Sequence, residues 1–377
     1  MAKRREKGDG SIYQRESDGR YYAYARLPDG KKKYVTDKTR SGAAKKLKEL
    51  QKSIDNQTLI LAKPETVEVY LWAWLAGKRI KETTHRNYSY AIKAVAPSIG
   101  SILLTKLTSD HIQKAYFTLE KNFAPGTVRL AHRVLKTAFN DAIKKKKIIY
   151  NPCTNVTQPE ETKEEATALT AEQCQKLIEA AKGTRLECFV TLALATAMRR
   201  GELLGLRWSD IDLEEKTVKV QRTLSYLPDP TTKKYRHIET TPKSKSSKRT
   251  IPLPDFALVA LKAHKIKQLE MRLQAGAKWV DRDLVFPGKN GDYCVATLLV
   301  YHFDKIVEEA GIPEVCIHEL RHSSATLLRK KGVDLKTIQK ILGHSSYMIT
   351  ANIYEHVDMD DQQDAMVKLD NVFRKDR

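Results

Sequence analysis

One polar stretch, "NPCTNVTQPEETKEEAT" at 151–167, limits what this chain can fold into. Two prolines, a block of acids and few apolar side chains give a core nothing to hold, so the stretch reads as a linker between separate folding units. It also divides the charge. Of 67 Lys+Arg and 46 Asp+Glu, residues 1–160 hold 32 and 15, which is +17 of the formal +21. The part before the linker therefore presents a surface for a polyanion, nucleic acid ahead of acidic membrane. The part after it has the nearly balanced charge of an ordinary globular domain. At 377 residues the chain has ample length for two or three cores.

No run approaches the roughly 18 apolar residues of a membrane span, and the opening "MAKRREKGDG" has no apolar signal-peptide core. The five cysteines are odd in number and without a CxxC, a pattern that fits reduced thiols in a cytosolic protein.

Before the linker the pattern changes once. In 1–60, "SIYQR", "RYYAYARL" and "KKKYVT" alternate as three strands joined at "ESDG" and "LPDGK", followed by a helix over "SGAAKKLKELQKSI". The helix is expected to bury Ala44, Leu47, Leu50 and Ile54. On the second strand Tyr21, Ala23, Ala25 and Leu27 share one face, and Tyr22, Tyr24 and Arg26 the other. That second face is either solvated surface or a sheet face laid in a DNA groove, and the local excess of positive charge favours the groove. Residues 65–150 carry four helical patterns, with Thr83 and Ser109 or Asp110 as expected N-caps, and end near the run Lys144 to Lys147, which suits phosphate contacts. From about 165 onward the pattern is mainly helical with a small β-sheet insert.

Within that last part, four places gather groups that bind phosphate or attack it. "ATAMRRGELLGLRWSDID" sets Arg199 and Glu202 three apart, which alone reads as a helical salt bridge. "TPKSKSSKRTIPL" is a basic hairpin with Lys243, Lys245 and Lys248, alone a solvated surface. "CIHELRHSSATLL" contains His318 and Arg321 one turn apart, and "LGHSSYMITANIYEHV" sets His344 ten residues before Tyr354. The third of these also spells H-E-x-x-H through His318, Glu319 and His322, the two-histidine pattern of a zinc protease. That reading needs a third ligand, for which Glu355 or His344 would have to serve, and it sets the Arg321 cation beside the metal. It also leaves the basic half of the chain and the GHSS…Tyr stretch without a purpose. No metal site is expected, and His322 reads as a packing or supporting histidine.

The order Arg…Lys…His-x-x-Arg…His…Tyr resembles the tyrosine recombinase family of the phage-integrase type. Three of its boxes stand here in sequence: RRGELLGLRWSD, HELRHSSAT, and LGHSS leading to a tyrosine. The resemblance covers about 165–360 specifically and the rest more loosely, and Ala197 stands where relatives usually have glycine. It implies a multidomain, mainly α protein. An arm-type DNA-binding domain of three strands and a helix would span 1–60, a helical core-binding domain 65–150, and a catalytic domain with a C-terminal tail helix 165–377. It further implies that Tyr354 attacks the scissile phosphate to give a 3′-phosphotyrosine. Arg199 and Arg321 would hold the non-bridging oxygens, His344 would add a third donor, and Lys245 (or Lys243) would protonate the leaving oxygen with His318 assisting. Implied partners are double-stranded DNA core and arm sites, a homotetramer on synapsed DNA, an excisionase and a host DNA-bending protein, in a bacterial cytoplasm near the nucleoid. No cofactor is implied. A type IB topoisomerase shares the chemistry and is the alternative. A DNA-binding regulator would share the charge but not the six-residue set. In the tail, Asp358 or Asp360 is expected to cap a helix with Met366, Leu369 and Phe373 on one face.

Overall fold

The computed structural model describes residues 11–27, 30–55, 64–160, 168–229, 232, 235–241, 247–344 and 346. The chain divides into two compact units, Met1–Lys163 and Glu164–Arg377, and the break falls inside the polar stretch.

In the first unit the three expected strands form an antiparallel sheet in the order β1 (Ser11–Gln14), β2 (Tyr21–Arg26), β3 (Lys32–Asp37), followed by helix α1 (Arg40–Asp55). Gly19 and Gly30 take φ of 65° and 82° in the two connections, a region an L side chain enters only at a cost. Ala23, Ala25 and Leu27 are buried as the alternation requires, and the helix answers with Ala43, Leu47 and Leu50. The expected Ala44 is exposed instead. Steps of four, three and four from Ala43 keep one face turned inward as far as Ile54, whereas Ala44 sits about 100° further round the helix.

The helical segment contains α2 (Val67–Ala76), α3 (Glu82–Ile99), α4 (Ser109–Glu120) and α5 (Pro125–Lys144) around a second hydrophobic cluster. Gly77 and Gly100 end α2 and α3, and Pro125 opens α5. Two caps fall earlier than the sequence suggests. Lys81 precedes α3, and Thr108 precedes α4, where its hydroxyl accepts from His111 N–H while the His111 ring accepts from Thr108 N–H. Several buried polar groups are paired inside this core, although His132 Nε2 is buried without a hydrogen-bond partner among the described residues. Tyr116 Oη meets His132 Nδ1 at 3.0 Å, Tyr70 Oη donates to Ala138 O at 2.7 Å, and Trp74 Nε1 donates to Asp141 Oδ2 at 2.8 Å. Asp141 also holds Lys78 at 2.5 Å.

The second unit packs α6 (Ala171–Ala181), α7 (Glu187–Thr196), α9 (Asp255–Ala275), α10 (Ala296–Glu309) and α11 (Ile317–Lys330) about a core that includes Phe189, Leu177, Phe303 and Leu320. Short α8 (Arg200–Leu204) follows α7 and adds Leu203 and Leu204 to this core, and short α12 (Leu335–Leu342) follows α11. Its strands form two small sheets rather than one. β4 (Ile211–Asp212), β5 (Thr217–Val220) and β8 (Arg249–Pro252) make a three-stranded sheet, while β6 (Thr223–Pro228) and β7 (Tyr235–Thr240) pair only with each other. β7 and β8, the strands that flank the expected basic hairpin, therefore belong to different sheets and do not pair with each other. Among the described residues no helix is long and apolar enough to cross a membrane. The tail from 347 onward lies outside the described residues.

Replacing Asp141 by alanine leaves the Trp74 indole N–H and the Lys78 ammonium without their acceptor. The expected cost is about 1–3 kcal/mol, read as a lowered unfolding midpoint in urea with the m-value unchanged.

Candidate active site

The site is built from the ends of elements. Helix α7 stops at Ala197, whose N–H still donates to Ala193 O but whose backbone is left-handed, φ 51° and ψ 29°. That conformation costs a non-glycine residue about 1–2 kcal/mol, and here it persists because Ala197 is 1% exposed and packs with Ala325, Ile338 and Leu342. The chain then extends at Arg199, which is the N-cap of α8. Glu202 stands at the third position of that helix and reaches back. Its Oε2 accepts from Arg199 N–H and its Oε1 from Arg199 Nη1, each at 3.0 Å. The expected salt bridge is thus present, but it wraps a helix start rather than running along a helix face.

Glu202 is 2% exposed and has a second cation that the sequence reading missed. Arg249 Nη2 donates to Glu202 Oε2 at 2.9 Å and Nη1 to Oε1 at 3.3 Å, and Arg249 Nε donates to Ile341 O at 2.6 Å. Burial opposes ionisation of Glu202, yet the hydrogen bonds and charge of Arg249, with those of Arg199, hold its pKa below the ordinary value. The sequence did contain a signal for Arg249. With period two it shares a strand face with Ile251 and Leu253, which is the buried face, and a cation on such a face needs a carboxylate.

Helix α11 brings His318 and Arg321. Its first turn is closed by Glu319, whose Oε2 accepts from Cys316 N–H at 2.6 Å. The glutamate that a zinc protease would use as base is therefore occupied in capping the helix. Arg321 is 5% exposed. It donates from Nη1 to Ala197 O at 2.7 Å and from Nη2 to Leu342 O at 2.6 Å. Those carbonyls close α7 and α12, and the C-terminal end of a helix carries partial negative charge. The guanidinium is thus held by dipoles, with two of its five N–H groups used among the described residues. Burial, then Arg199 and Arg249, lower its pKa to about 9, so it remains a cation at neutral pH.

His344 follows α12 after Gly343, which takes the left-handed region at φ 65°. Burial, then Arg321, Arg199, Arg249 and His318, push the imidazole pKa down from 6.5 to about 4. His318 keeps an accessible edge, but partial loss of water and the Arg321, Arg199 and Arg200 guanidiniums lower its pKa as well. The structure thus gathers Arg199, His318, Arg321 and His344 within electrostatic reach of one another. Both histidines are neutral near pH 7, a form in which each ring has one N–H to donate. Lys243, Lys245 and Tyr354 lie outside the described residues. Among the described residues no group of three or more His, Cys, Asp or Glu side chains is placed to hold a metal ion.

In the first unit Tyr22, Tyr24 and Arg26 lie on the sheet face opposite α1, as the alternation predicts. Tyr22 stacks on Tyr13 with centroids 5.9 Å apart, and Tyr24 meets Tyr34 at 5.5 Å. Arg15 lies over Tyr22 and Lys32 over Tyr24, at 5.6 and 4.5 Å from the ring centroids.

Comparison with known proteins agrees with this architecture. Residues 167–361 match the Phage integrase family, and residues 64–120 match the phage integrase N-terminal SAM-like domain. A tyrosine recombinase XerC-like protein of Caldanaerobacter subterraneus subsp. tengcongensis is 36% identical over 305 residues, covering 78% of this chain and 77% of the relative. The integrase of transposon Tn1549, solved in complex with transposon right end DNA, has a similar fold. Its TM-score is 0.69 at 21% identity, over 81% of this chain and 99% of that one. A lambda integrase tetramer bound to a Holliday junction gives a TM-score of 0.57 at 20% identity over 93% and 96%. The chain belongs to the phage integrase family, the tyrosine recombinases. It is a site-specific DNA recombinase of the kind that moves mobile elements.

The depressed pKa of His344 has a consequence for stability. The unfolded chain takes up the proton near 6.5 and the folded chain only near 4. The contribution is therefore fully present above 6.5 and is lost as the pH falls through 4. Calorimetric melts from pH 7 to 4.5 are expected to show acid destabilisation of the second unit that His344→Asn reduces, by about 3 kcal/mol at most. An identical pH dependence in the variant would show that His344 is not held neutral.

Proposed function

We propose that the chain is a three-domain integrase of a phage or integrative element, with an arm-binding head at 1–60, a core-binding domain at 65–150 and a catalytic domain at 165–377. The mutual electrostatic reach of Arg199, His318, Arg321 and His344 carries this reading, since two guanidiniums and two neutral imidazoles in one neighbourhood suit the oxygens of a phosphodiester. Tyr354 Oη attacks the scissile phosphorus, a tyrosine–phosphate bond forms at the 3′ side, and the bond from phosphorus to the 5′ oxygen breaks. Lys245, or Lys243 in its place, gives the departing 5′ oxygen its proton, and His318 assists proton transfer. Arg199, Arg321 and His344 stabilise the charge that builds on the non-bridging oxygens. Bond energy is kept in the phosphotyrosine, so religation needs neither nucleotide nor metal. The enzyme acts as a tetramer on two synapsed duplexes through a Holliday junction in the bacterial cytoplasm, with an excisionase and a host DNA-bending protein as partners that set direction. The lambda integrase tetramer, similar in fold, supports the assembly.

Tyr354→Phe removes only the attacking oxygen. It is expected to bind a core half-site as the wild type does and to leave no protein–DNA adduct on a denaturing gel, and a persisting adduct would send the search for the nucleophile to Tyr347. In the same assay Arg199→Ala and Arg321→Ala lower cleavage by about 10²-fold or more and binding far less. Equal losses in both would reduce the two arginines to anchors.

The aromatic and cationic face of β1–β3 supports a head that reads distal arm sites with Tyr22, Tyr24 and Arg26. Deleting 1–60 is expected to abolish tight binding to arm-site DNA in a gel-shift assay and to leave cleavage at an isolated core site. Loss of core cleavage would place the head in the core clamp instead.

A further inference from the structure

Arg249 has no role in the chemistry above, yet its side chain is 6% exposed and every contact it makes leads toward a proposed catalytic group. Through Glu202 it meets Arg199. Its Nη1 donates to Ser247 O at 3.2 Å, and it stands at the head of β8, a few residues after Lys243 and Lys245 in the sequence. Through Ile341 O it touches the end of α12, three residues before His344.

The charges explain why an arginine is needed. Glu202 accepts four hydrogen bonds, two from Arg199 and two from Arg249. One negative charge is therefore divided between two cations. Without Arg249, the whole of it faces Arg199, and a buried carboxylate with one guanidinium in reach draws it into a bidentate pair. Arg199 would then turn its fork inward and lose most of its field at the phosphate. An apolar filler could pack the same space at no cost to stability, because a buried ion pair seldom stabilises a fold more than hydrophobic packing does.

We propose that Arg249 is a positioning residue that takes up the charge of Glu202, so that the Arg199 guanidinium stays outward-facing, while bracing the end of α12 before His344. This rests on the assignment of Arg199 and Tyr354 above, and the test separates the two. Single-turnover cleavage of a suicide core site and binding of the same site are measured for the full chain. Wild type and Tyr354→Phe run in parallel, and an adduct in the phenylalanine variant overturns the site assignment itself.

With that control satisfied, Arg249→Met is expected to lower cleavage by about 10²-fold with binding within about threefold. Glu202→Gln added to Arg249→Met is expected to restore about tenfold of the lost rate, since removing the carboxylate frees Arg199 again, and such coupling is what a double-mutant cycle detects. A purely structural role predicts no such recovery. Arg249→Lys keeps the charge beside Glu202 and is expected to cleave about tenfold faster than Arg249→Met. It carries the test if the methionine variant unfolds, which thermal melts will show, with Arg249→Lys/Glu202→Gln as its partner. Unchanged cleavage in Arg249→Met overturns the proposal. So does a Glu202→Gln/Arg249→Met double variant no faster than Arg249→Met alone, or an Arg249→Lys variant as slow as Arg249→Met while still folded.

Discussion

Like charges do not stay together unless something holds them, and the second unit is organised around that constraint. Two unit charges several ångströms apart repel by about 3 kcal/mol at the effective dielectric of a protein, and here three guanidiniums and two imidazoles share one neighbourhood. The opposing groups are few. Glu202 stands between Arg199 and Arg249, and the carbonyls that end α7 and α12 hold Arg321. The imidazoles give way by remaining neutral, with His344 held near 4. Three guanidiniums against one carboxylate leave this neighbourhood with a net positive charge, which favours an anion.

The fold suits this arrangement because the groups sit at element ends while the element interiors are packed. Phe189 and Leu320 are fully buried within α7 and α11, and Ser324 Oγ ties α11 to Leu194 O at 2.8 Å. The helices therefore cannot drift, and their termini present backbone dipoles in fixed directions. The strained Ala197 belongs to the same scheme. Its carbonyl is one of the two that hold Arg321, so its left-handed turn serves to aim an acceptor. Arg249 Nη1 donates to Ser247 O at 3.2 Å just before β8.

Much of the first unit was legible in the sequence because its signals are local. Alternation alone placed Ala23 and Ala25 inward and Tyr22 and Tyr24 outward, and helix period alone gave four helices between 65 and 150. The errors there were small and geometric. Ala43 rather than Ala44 faces the sheet, because a shift of one residue turns a helix by about 100°, and periodicity fixes a face less finely than that. Thr108 rather than Ser109 caps α4, because neighbouring hydroxyls compete and only the one within reach of His111 wins.

In the second unit the order of residues along the chain singled out Arg199, His318, Arg321 and His344 as candidates, and the structure brings them within electrostatic reach of one another. The sequence also weighed against the zinc reading, and Glu319 stands in a helix cap. What only the tertiary structure decided is which partner each charge receives. Glu202 looks like the partner of Arg199 three residues away, but it is shared with Arg249, 47 residues further on. Arg321 is held by carbonyls 124 and 21 residues distant. Local periodicity reports which face of an element is buried. The neutralisation of a buried charge depends on what lies within about 3 Å of it, and that distance is set by how distant segments pack.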